Sequence, residues 1–287
     1  MTSLGLVVVG YQSDYVWPGF FESLADSTVF PDKIVVVENS PSLPTSIPTL
    51  PGLSITVLHR PDNPGYGASA NHGVAGLAKV PDLIVICNPD IVWQAHTLET
   101  LIPEMESRPT VGIAGPLLLN TDGSTYPSAR AFPGIRIGIG HALFGDVWKS
   151  NPWTTRYLGT QEGTEPRIVD WLSGACVMVR SETFTAIGGF DEGYFMFVED
   201  VDLCFRAKKQ GWRSLFVPEA SLTHSGAHST GPRMAEMVKA HHQSMRKFLF
   251  RLYEGPLYWP IRQALRAGLW VRSVIAPLRY VRSHSKD

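Results

Sequence analysis

Four short aliphatic runs, at residues 6–9, 34–37, 55–58 and 83–87, show no alternation of apolar and polar positions. That is the pattern of strands buried on both faces. Residues 19–27 and 68–79 read as helices among them, so the N-terminal third predicts an α/β unit with a parallel sheet. In open sheets of this type, ligands bind beyond the carboxyl ends of the strands. Those ends carry Gly10-Tyr11, Glu38-Asn39-Ser40 and Asn88-Pro89-Asp90, and the third strand runs into residues 60–67. Polar groups therefore collect along one edge. A helix over 97–107, a strand over 111–119 and a polar turn at 120–124 follow. Residues 126–165, rich in Gly, Pro and Trp and without a sustained period, predict a long excursion of the kind that serves as a lid or substrate-contacting loop. Regular pattern resumes over 169–179, a helix over 182–187 ends at Gly188-Gly189, and a strand-like run occupies 213–217.

The chain has 287 residues, 44% hydrophobic and 18% charged, enough for one large domain or a domain with an appendage. Its formal net charge of -1 conceals an asymmetry. Residues 1–238 hold 15 Lys/Arg against 24 Asp/Glu, and residues 239–287 hold 10 against 2. The expected division is thus a body over 1–238 and a basic tail over 239–287. An acidic body speaks against nucleic acid as a partner. In the tail, Tyr258, Trp259, Ile261, Leu265, Leu269, Trp270, Val274, Ile275 and Leu278 recur at roughly helical spacing with Arg262, Arg266, Arg272, Arg279 and Arg282 interleaved. Two readings fit: a helix packed on the body, or an amphipathic helix on an anionic membrane surface. No run reaches the ~18 apolar residues of a spanning helix. Cys87, Cys176 and Cys204 each sit in an apolar run, without metal or disulfide spacing, and read as buried thiols of a reducing, cytoplasmic setting. The apolar run at 4–9 is too short for a secretory leader, and no basic residue precedes it.

The segment Phe195-Met196-Phe197-Val198-Glu199-Asp200-Val201-Asp202-Leu203-Cys204-Phe205-Arg206 places three carboxylates within four positions among aromatic and aliphatic neighbours. Unpaired charges near an apolar core cost roughly several kcal/mol, so such a cluster has a cationic partner or a chemical task. Asp202 and Arg206 are four apart and pair on one face if a helix starts near Asp200. That leaves Asp200 or Glu199 as a proton acceptor. Asn88-Pro89-Asp90, closing an apolar strand, reads either as a turn or as a seat for a hard divalent cation. The stretch 60–71, with Arg60, Asn63, Gly65 and Asn71, reads as a tight strand-to-helix turn or a phosphate or nucleoside contact. It is neither a dinucleotide fingerprint nor a Walker loop. Glu38 is placed to accept from a nucleobase N–H or to cap a turn. His224 and His228 are candidate metal ligands or solvated loop residues.

Taken in order, strand-Gly10-Tyr11, Val36-Val37-Glu38-Asn39-Ser40, Asn63-Pro64-Gly65-Tyr66-Gly67 through Asn71, Asn88-Pro89-Asp90, Trp171-Leu172-Ser173-Gly174-Ala175, Gly188-Gly189-Phe190-Asp191-Glu192, Glu199-Asp200-Val201-Asp202 and His224 resemble one family over residues 4–230. It is the inverting, nucleotide-sugar-dependent glycosyltransferases of the GT-A fold, glycosyltransferase family 2. Within it the sequence looks most like actinobacterial rhamnosyltransferases that move L-rhamnose from dTDP-rhamnose to N-acetylglucosaminyl-diphospho-polyprenol in cell-wall linker synthesis. The resemblance implies Asp200 as base with Glu199 beside it, and Tyr11, Glu38, Arg60, Asn63, Gly65, Asn71, Asn88 and Asp90 about the donor. It further implies Asp90 and His224 on Mg²⁺ or Mn²⁺, and Trp171, Gly174 and Ala175 toward the acceptor. It places the chain at the inner face of the plasma membrane. A transferase for galactofuranose, mannose or glucose, or a non-catalytic nucleotide-sugar binder, are the alternatives.

Overall fold

A computed structural model describes residues 2–43, 47–48, 50, 52–134, 164–226, 234–264 and 266–267. The four aliphatic runs form β1 (Leu4–Gly10), β2 (Lys33–Glu38), β3 (Ile55–His59) and β4 (Leu83–Cys87), each pairing in parallel with its neighbour. Helices α1 (Trp17–Ala25) and α2 (Tyr66–Ala75) make the crossovers β1 to β2 and β3 to β4. Then come β5 (Ile91–Trp93), α3 (Thr97–Glu106), β6 (Val111–Leu119), β7 (Thr125–Tyr126), β8 (Ala129–Arg130), β9 (Arg167–Val169), β10 (Trp171–Leu172) and β11 (Cys176–Arg180). The chain continues through α4 (Ser181–Ile187), α5 (Glu199–Lys209), β12 (Arg213–His224) and α6 (Met234–Leu252) to a single 3-10 turn at Pro256–Tyr258.

The main sheet runs β3-β2-β1-β4-β11-β6-β12-β5; the parallel order expected of the N-terminal third holds for β1 to β4, and beyond them the sheet is mixed, with β6 and β12 again parallel. β11 lies antiparallel to both β4 and β6, and β5 antiparallel to β12. That reversal matters for the site. Cys176 stands opposite Cys87, and the Asn88 N–H donates to the Ala175 carbonyl at 2.9 Å, so residues 171–175 arrive at the same rim as the carboxyl end of β4. β12 extends past the run that ended at Val217. Pro218 has no N–H to give, and the ladder with β6 resumes at Ser221 after a register shift.

Both faces of the sheet are apolar because both are covered. Leu4, Leu6, Val8, Val85 and Cys87 pack with Trp17, Phe20, Phe21 and Leu24 of α1 and Leu98 and Leu101 of α3. Val7, Val9, Ile84 and Ile86 face the other way, toward Ala70 of α2, Phe184 of α4 and Leu203 of α5. A third core joins Tyr194, Val198 and Val201 to Phe248 of α6. The division expected after residue 238 therefore falls inside α6, which is packed on the body. All three cysteines are buried and free.

Leu257, Tyr258 and Trp259 are exposed, and residues 259–264 are helical. Among the described residues no helix is long and apolar enough to cross a membrane. Residues 135–163 of the expected excursion, His228, and Leu265, Leu269, Trp270, Arg272, Val274, Ile275, Leu278, Arg279 and Arg282 of the tail lie outside the described residues.

Candidate active site

The rim begins at the parallel strand ends. Glu38 is 1% exposed, and its Oε1 accepts the Ser40 N–H at 2.9 Å and the Ser40 hydroxyl, which is a turn cap. Its Oε2 is buried with no partner among the described residues. An orphaned buried oxygen is costly until a donor arrives. An open polar depression lined by Gln12, Asp14, Ser40, Pro41 and Ser42 lies at this end, and half-buried Tyr11 precedes it in the chain. Arg60 grips Asp62 through Nε at 2.9 Å and Nη2 at 2.8 Å, which raises the arginine above its ordinary value and lowers the carboxyl.

Asn63 (φ 41°) and Gly65 (φ 99°) turn the chain left-handedly into α2. A Cβ on Gly65 would collide with the Phe195 carbonyl, whose oxygen accepts the Tyr66 N–H at 3.1 Å. This loop therefore rests backbone on backbone against the segment that leads to the acidic cluster, a contact that requires glycine. Asn71, expected at the nucleotide pocket, has protein partners. Its Nδ2 donates to the Phe190 carbonyl (2.9 Å) and Glu192 Oε1 (3.0 Å), and its Oδ1 accepts the Phe190 N–H (2.8 Å). With these bonds to Phe190 and Glu192 it ties α2 to the loop after Gly189.

At the end of β4, Asp90 is 7% exposed and its Oδ1 lies 3.2 Å from Nε2 of half-buried His224, at the end of β12. Asn88 Nδ2 stands 3.4 Å from the same nitrogen. The mixed sheet brings these three together across 136 positions of sequence.

The acidic cluster opens α5. Phe197 (φ 66°) and Val198 (φ 69°) are both left-handed without being glycine, and for a β-branched residue that is a clear outlier costing about 1–3 kcal/mol. The turn they make sets Glu199, Asp200 and Asp202 in the first helical turn, where the helix dipole favours negative charge. Asp200 is half-buried, with Oδ2 accepting the Gly174 N–H at 2.8 Å and Oδ1 the Val201 N–H at 2.8 Å. Burial raises its carboxyl above the ordinary value, and the two amides together with the positive charge of Arg130 pull against that rise. Glu199 has only its own backbone amide pulling against burial and the charge of Asp200, and is pushed up to about 8, while its Oε2 has no partner among the described residues. Two further amides stabilise the Asp200 carboxylate where Glu199 has none, so of the two Asp200 is the one favoured to carry the negative charge. Asp202 is 0% exposed and pairs with Arg206 Nε at 2.7 Å, as the four-residue spacing predicts.

Across from Asp200 lies the small sheet of β8 and β10, with Arg130 opposite Trp171 and its guanidinium 5.6 Å from the ring centroid. The Trp171 Nε1–H donates to the Ala131 carbonyl at 2.9 Å and the Ser173 N–H to Ser128 at 2.8 Å. Gly174 and Ala175 work through their backbones, one on Asp200 and one on Asn88. Tyr66 donates its hydroxyl to the Gly174 carbonyl at 2.7 Å, and burial lifts its phenol well above its ordinary value. Sequence reading missed Arg130 and Tyr66, which sit in the aperiodic excursion and at a helix start with no charge pattern to mark them.

Residues 4–246 match the family described as Glycosyltransferase like family 2. The chain belongs to that family. This glycosyltransferase is 39% identical, over 94% of its own length and 93% of the relative's, to N-acetylglucosaminyl-diphospho-decaprenol L-rhamnosyltransferase of Mycobacterium tuberculosis. It is 30% identical over 65% of its length and 70% of the relative's to rhamnosyltransferase WbbL of Escherichia coli K12. Its fold is the GT-A fold. A mannosyltransferase from Pyrobaculum calidifontis, solved with GDP-Man and Mn²⁺, superposes with a TM-score of 0.58 at 14% identity, covering 93% of this chain and 70% of that one. GalNAc-T7, solved with UDP, GalNAc and Mn²⁺, gives 0.58 at 16% identity, and 94% of this chain spans about half (54%) of it.

Proposed function

We propose that this glycosyltransferase moves L-rhamnose from dTDP-rhamnose to a hydroxyl of N-acetylglucosamine carried on a polyprenyl diphosphate, with inversion at the anomeric carbon. The observation that carries the chemistry is Asp200, a half-buried carboxylate braced by two backbone amides at the start of α5. The 39% identity to a rhamnosyltransferase over nearly the whole chain supports the sugar and the acceptor.

In this reading Asp200 takes the proton from the acceptor hydroxyl as the oxygen attacks the anomeric carbon from the face opposite the departing nucleoside diphosphate, and the configuration inverts. General base catalysis contributes about 10² to 10⁴ in rate. Glu199 stays neutral at pH 7, so it does not compete for the proton. The free Oε2 of Glu38 receives a nucleobase N–H, which satisfies the orphaned oxygen. Arg60, Asn63 and Gly65 shape the donor loop, and Trp171 with Arg130 forms the acceptor wall.

Asp90 and His224 fit a divalent cation such as Mg²⁺ or Mn²⁺. One carboxylate and one imidazole stand 3.2 Å apart, and no further His, Cys, Asp or Glu among the described residues completes a cage, so these two residues would hold the cation with positions left open for other oxygen ligands. Bound there, the cation neutralises charge on the leaving diphosphate.

The domain division expected at 238 shifts in this reading: α6 through Leu252 belongs with the transferase, and the basic segment beyond it reaches an anionic membrane surface. Exposed Leu257, Tyr258 and Trp259 beside Arg262 and Arg266 support it. The test is transfer to N-acetylglucosaminyl-diphospho-polyprenol from dTDP-rhamnose against UDP-galactofuranose, GDP-mannose and UDP-glucose, with and without chelator. Turnover with dTDP-rhamnose alone, abolished by chelation, is expected. Preference for another donor would refute the sugar assignment.

A further inference from the structure

The segment that carries Asp200 is held from outside by α6. The Ser244 hydroxyl donates to the Met196 carbonyl at 2.8 Å. Lys247 Nζ donates to Asp191 Oδ1 at 2.7 Å and lies 4.3 Å from the centre of the Tyr194 ring. Phe248 is buried against Tyr194, Val198 and Val201. Arg251 makes a bridge, with Nη2 on Asp191 Oδ2 at 2.7 Å and Nη1 on Asp202 Oδ1. The other oxygen of Asp202 accepts Arg206 Nε, and the remaining nitrogens of Arg206 reach the carbonyls of Ile187 (2.6 Å) and Gly189 (2.7 Å).

Asp191 and Asp202 flank, in sequence, both the left-handed pair Phe197-Val198 and Asp200 itself. We propose that Arg251 is a positioning residue for Asp200. By clamping a carboxylate before the strained turn and one after it, Arg251 fixes where α5 begins and hence where the base stands. Two adjacent non-glycine residues hold a left-handed backbone only when their surroundings over-determine it. Released from the clamp, residues 197–198 return toward right-handed backbone and carry the start of α5 with them. A guanidinium is suited to the task because its planar fork donates to two carboxylates at once, which a lysine ammonium on a flexible stem does less well. The sixth helix, beyond the strand-end rim, is in this view part of the machinery for proton abstraction. The inference rests on the reading of Asp200 as base.

The test compares Arg251→Ala, Arg251→Lys, Lys247→Met and Asp200→Asn in the full chain, by kcat, donor dissociation constant, pH–rate profile and circular-dichroism melting. Arg251→Ala is expected to lower kcat by about 10- to 100-fold, the scale of displacing a reacting group by an ångström. Donor affinity stays within about twofold, since the lost interaction acts on the base and not on the nucleotide. The acid limb of the profile moves up, because a cation has left the neighbourhood of the carboxylates. Arg251→Lys recovers part of the rate. Lys247→Met, which removes one of the two cations on Asp191 and the ammonium over the Tyr194 ring and so loosens the same anchor before the turn, lowers kcat by a smaller factor and carries the test if Arg251→Ala does not fold. Wild-type kcat in a folded Arg251→Ala, or in Lys247→Met when Arg251→Ala does not fold, overturns the proposal. So does a parallel fall of kcat and donor affinity with an unmoved acid limb. If Asp200→Asn is inactive while Arg251→Ala is normal, only the positioning claim fails; if Asp200→Asn turns over normally, the base assignment fails with it.

Discussion

Replacing Glu199 by glutamine separates the two carboxylates at the start of α5. Glu199 is 7% exposed, its Oε2 has no partner among the described residues, and burial beside the charge of Asp200 pushes it from 4.5 up to about 8. The unfolded chain ionises this group near its ordinary value, while the folded chain keeps the proton. The cost to folding is absent below pH 4.5, grows as pH rises, and is complete once pH passes the folded value near 8. At about 1.36 kcal/mol per pH unit its ceiling is about 5 kcal/mol. Glutamine copies the neutral acid in shape and has no proton to lose. Glu199→Gln is thus expected to be indistinguishable from wild type in urea unfolding at pH 4.5 and more stable by a few kcal/mol at pH 8. Its turnover at pH 7 stays within about tenfold of wild type, because the wild-type group is already neutral there. An equal stability gap at both pH values, or a loss of turnover as deep as that of Asp200→Asn, would show that Glu199 is the ionised partner and that the division of labour is reversed.

Two further outcomes follow from the same geometry. Burial raises Asp191, but Lys247, the Gly193 N–H and Arg251 outweigh it and hold the carboxyl to about 2. Its stabilisation is therefore complete above the ordinary value of 3.8 and lost as pH falls toward 2, so Asp191→Asn loses about 2 kcal/mol in urea unfolding at pH 7 and the gap closes between pH 4 and 2. A constant gap through that interval would contradict the ion-pair account. Asp90→Ala removes the carboxylate 3.2 Å from His224, and Mn²⁺ is expected no longer to strengthen nucleoside diphosphate binding in calorimetry, with kcat down by about 100-fold or more. Unchanged Mn²⁺ dependence would move the cation elsewhere.

The parallel half of the sheet is legible because strands covered on both faces leave unbroken aliphatic runs, and β1 to β4 are such runs. The Asp202–Arg206 pair is legible because both partners lie on one helix, four residues apart. Strand direction leaves no such mark: the run at 176–180 reads alike in either sense, and its reversal is what brings Gly174 to Asp200. β12 looks short because Pro218 interrupts its pattern, although pairing resumes at Ser221. Asn71 has the right residue type for a ligand contact but meets the Phe190 backbone, a fact of packing across 119 positions. Arg251 reaches Asp202 across 49 positions and Asp191 across 60, distances over which no local period operates. An arginine in a basic tail reads as a solvated charge until α6 is seen against α5.

The central claim is that Asp200 accepts the proton of the acceptor hydroxyl. Its most direct measurement is single-turnover transfer by Asp200→Asn from dTDP-rhamnose to the lipid-linked acceptor, with donor binding followed in parallel. The account predicts a rate reduced by about 10² or more with donor affinity retained, since the amide keeps the shape of the carboxylate but cannot accept the proton. Transfer at the wild-type rate would contradict it.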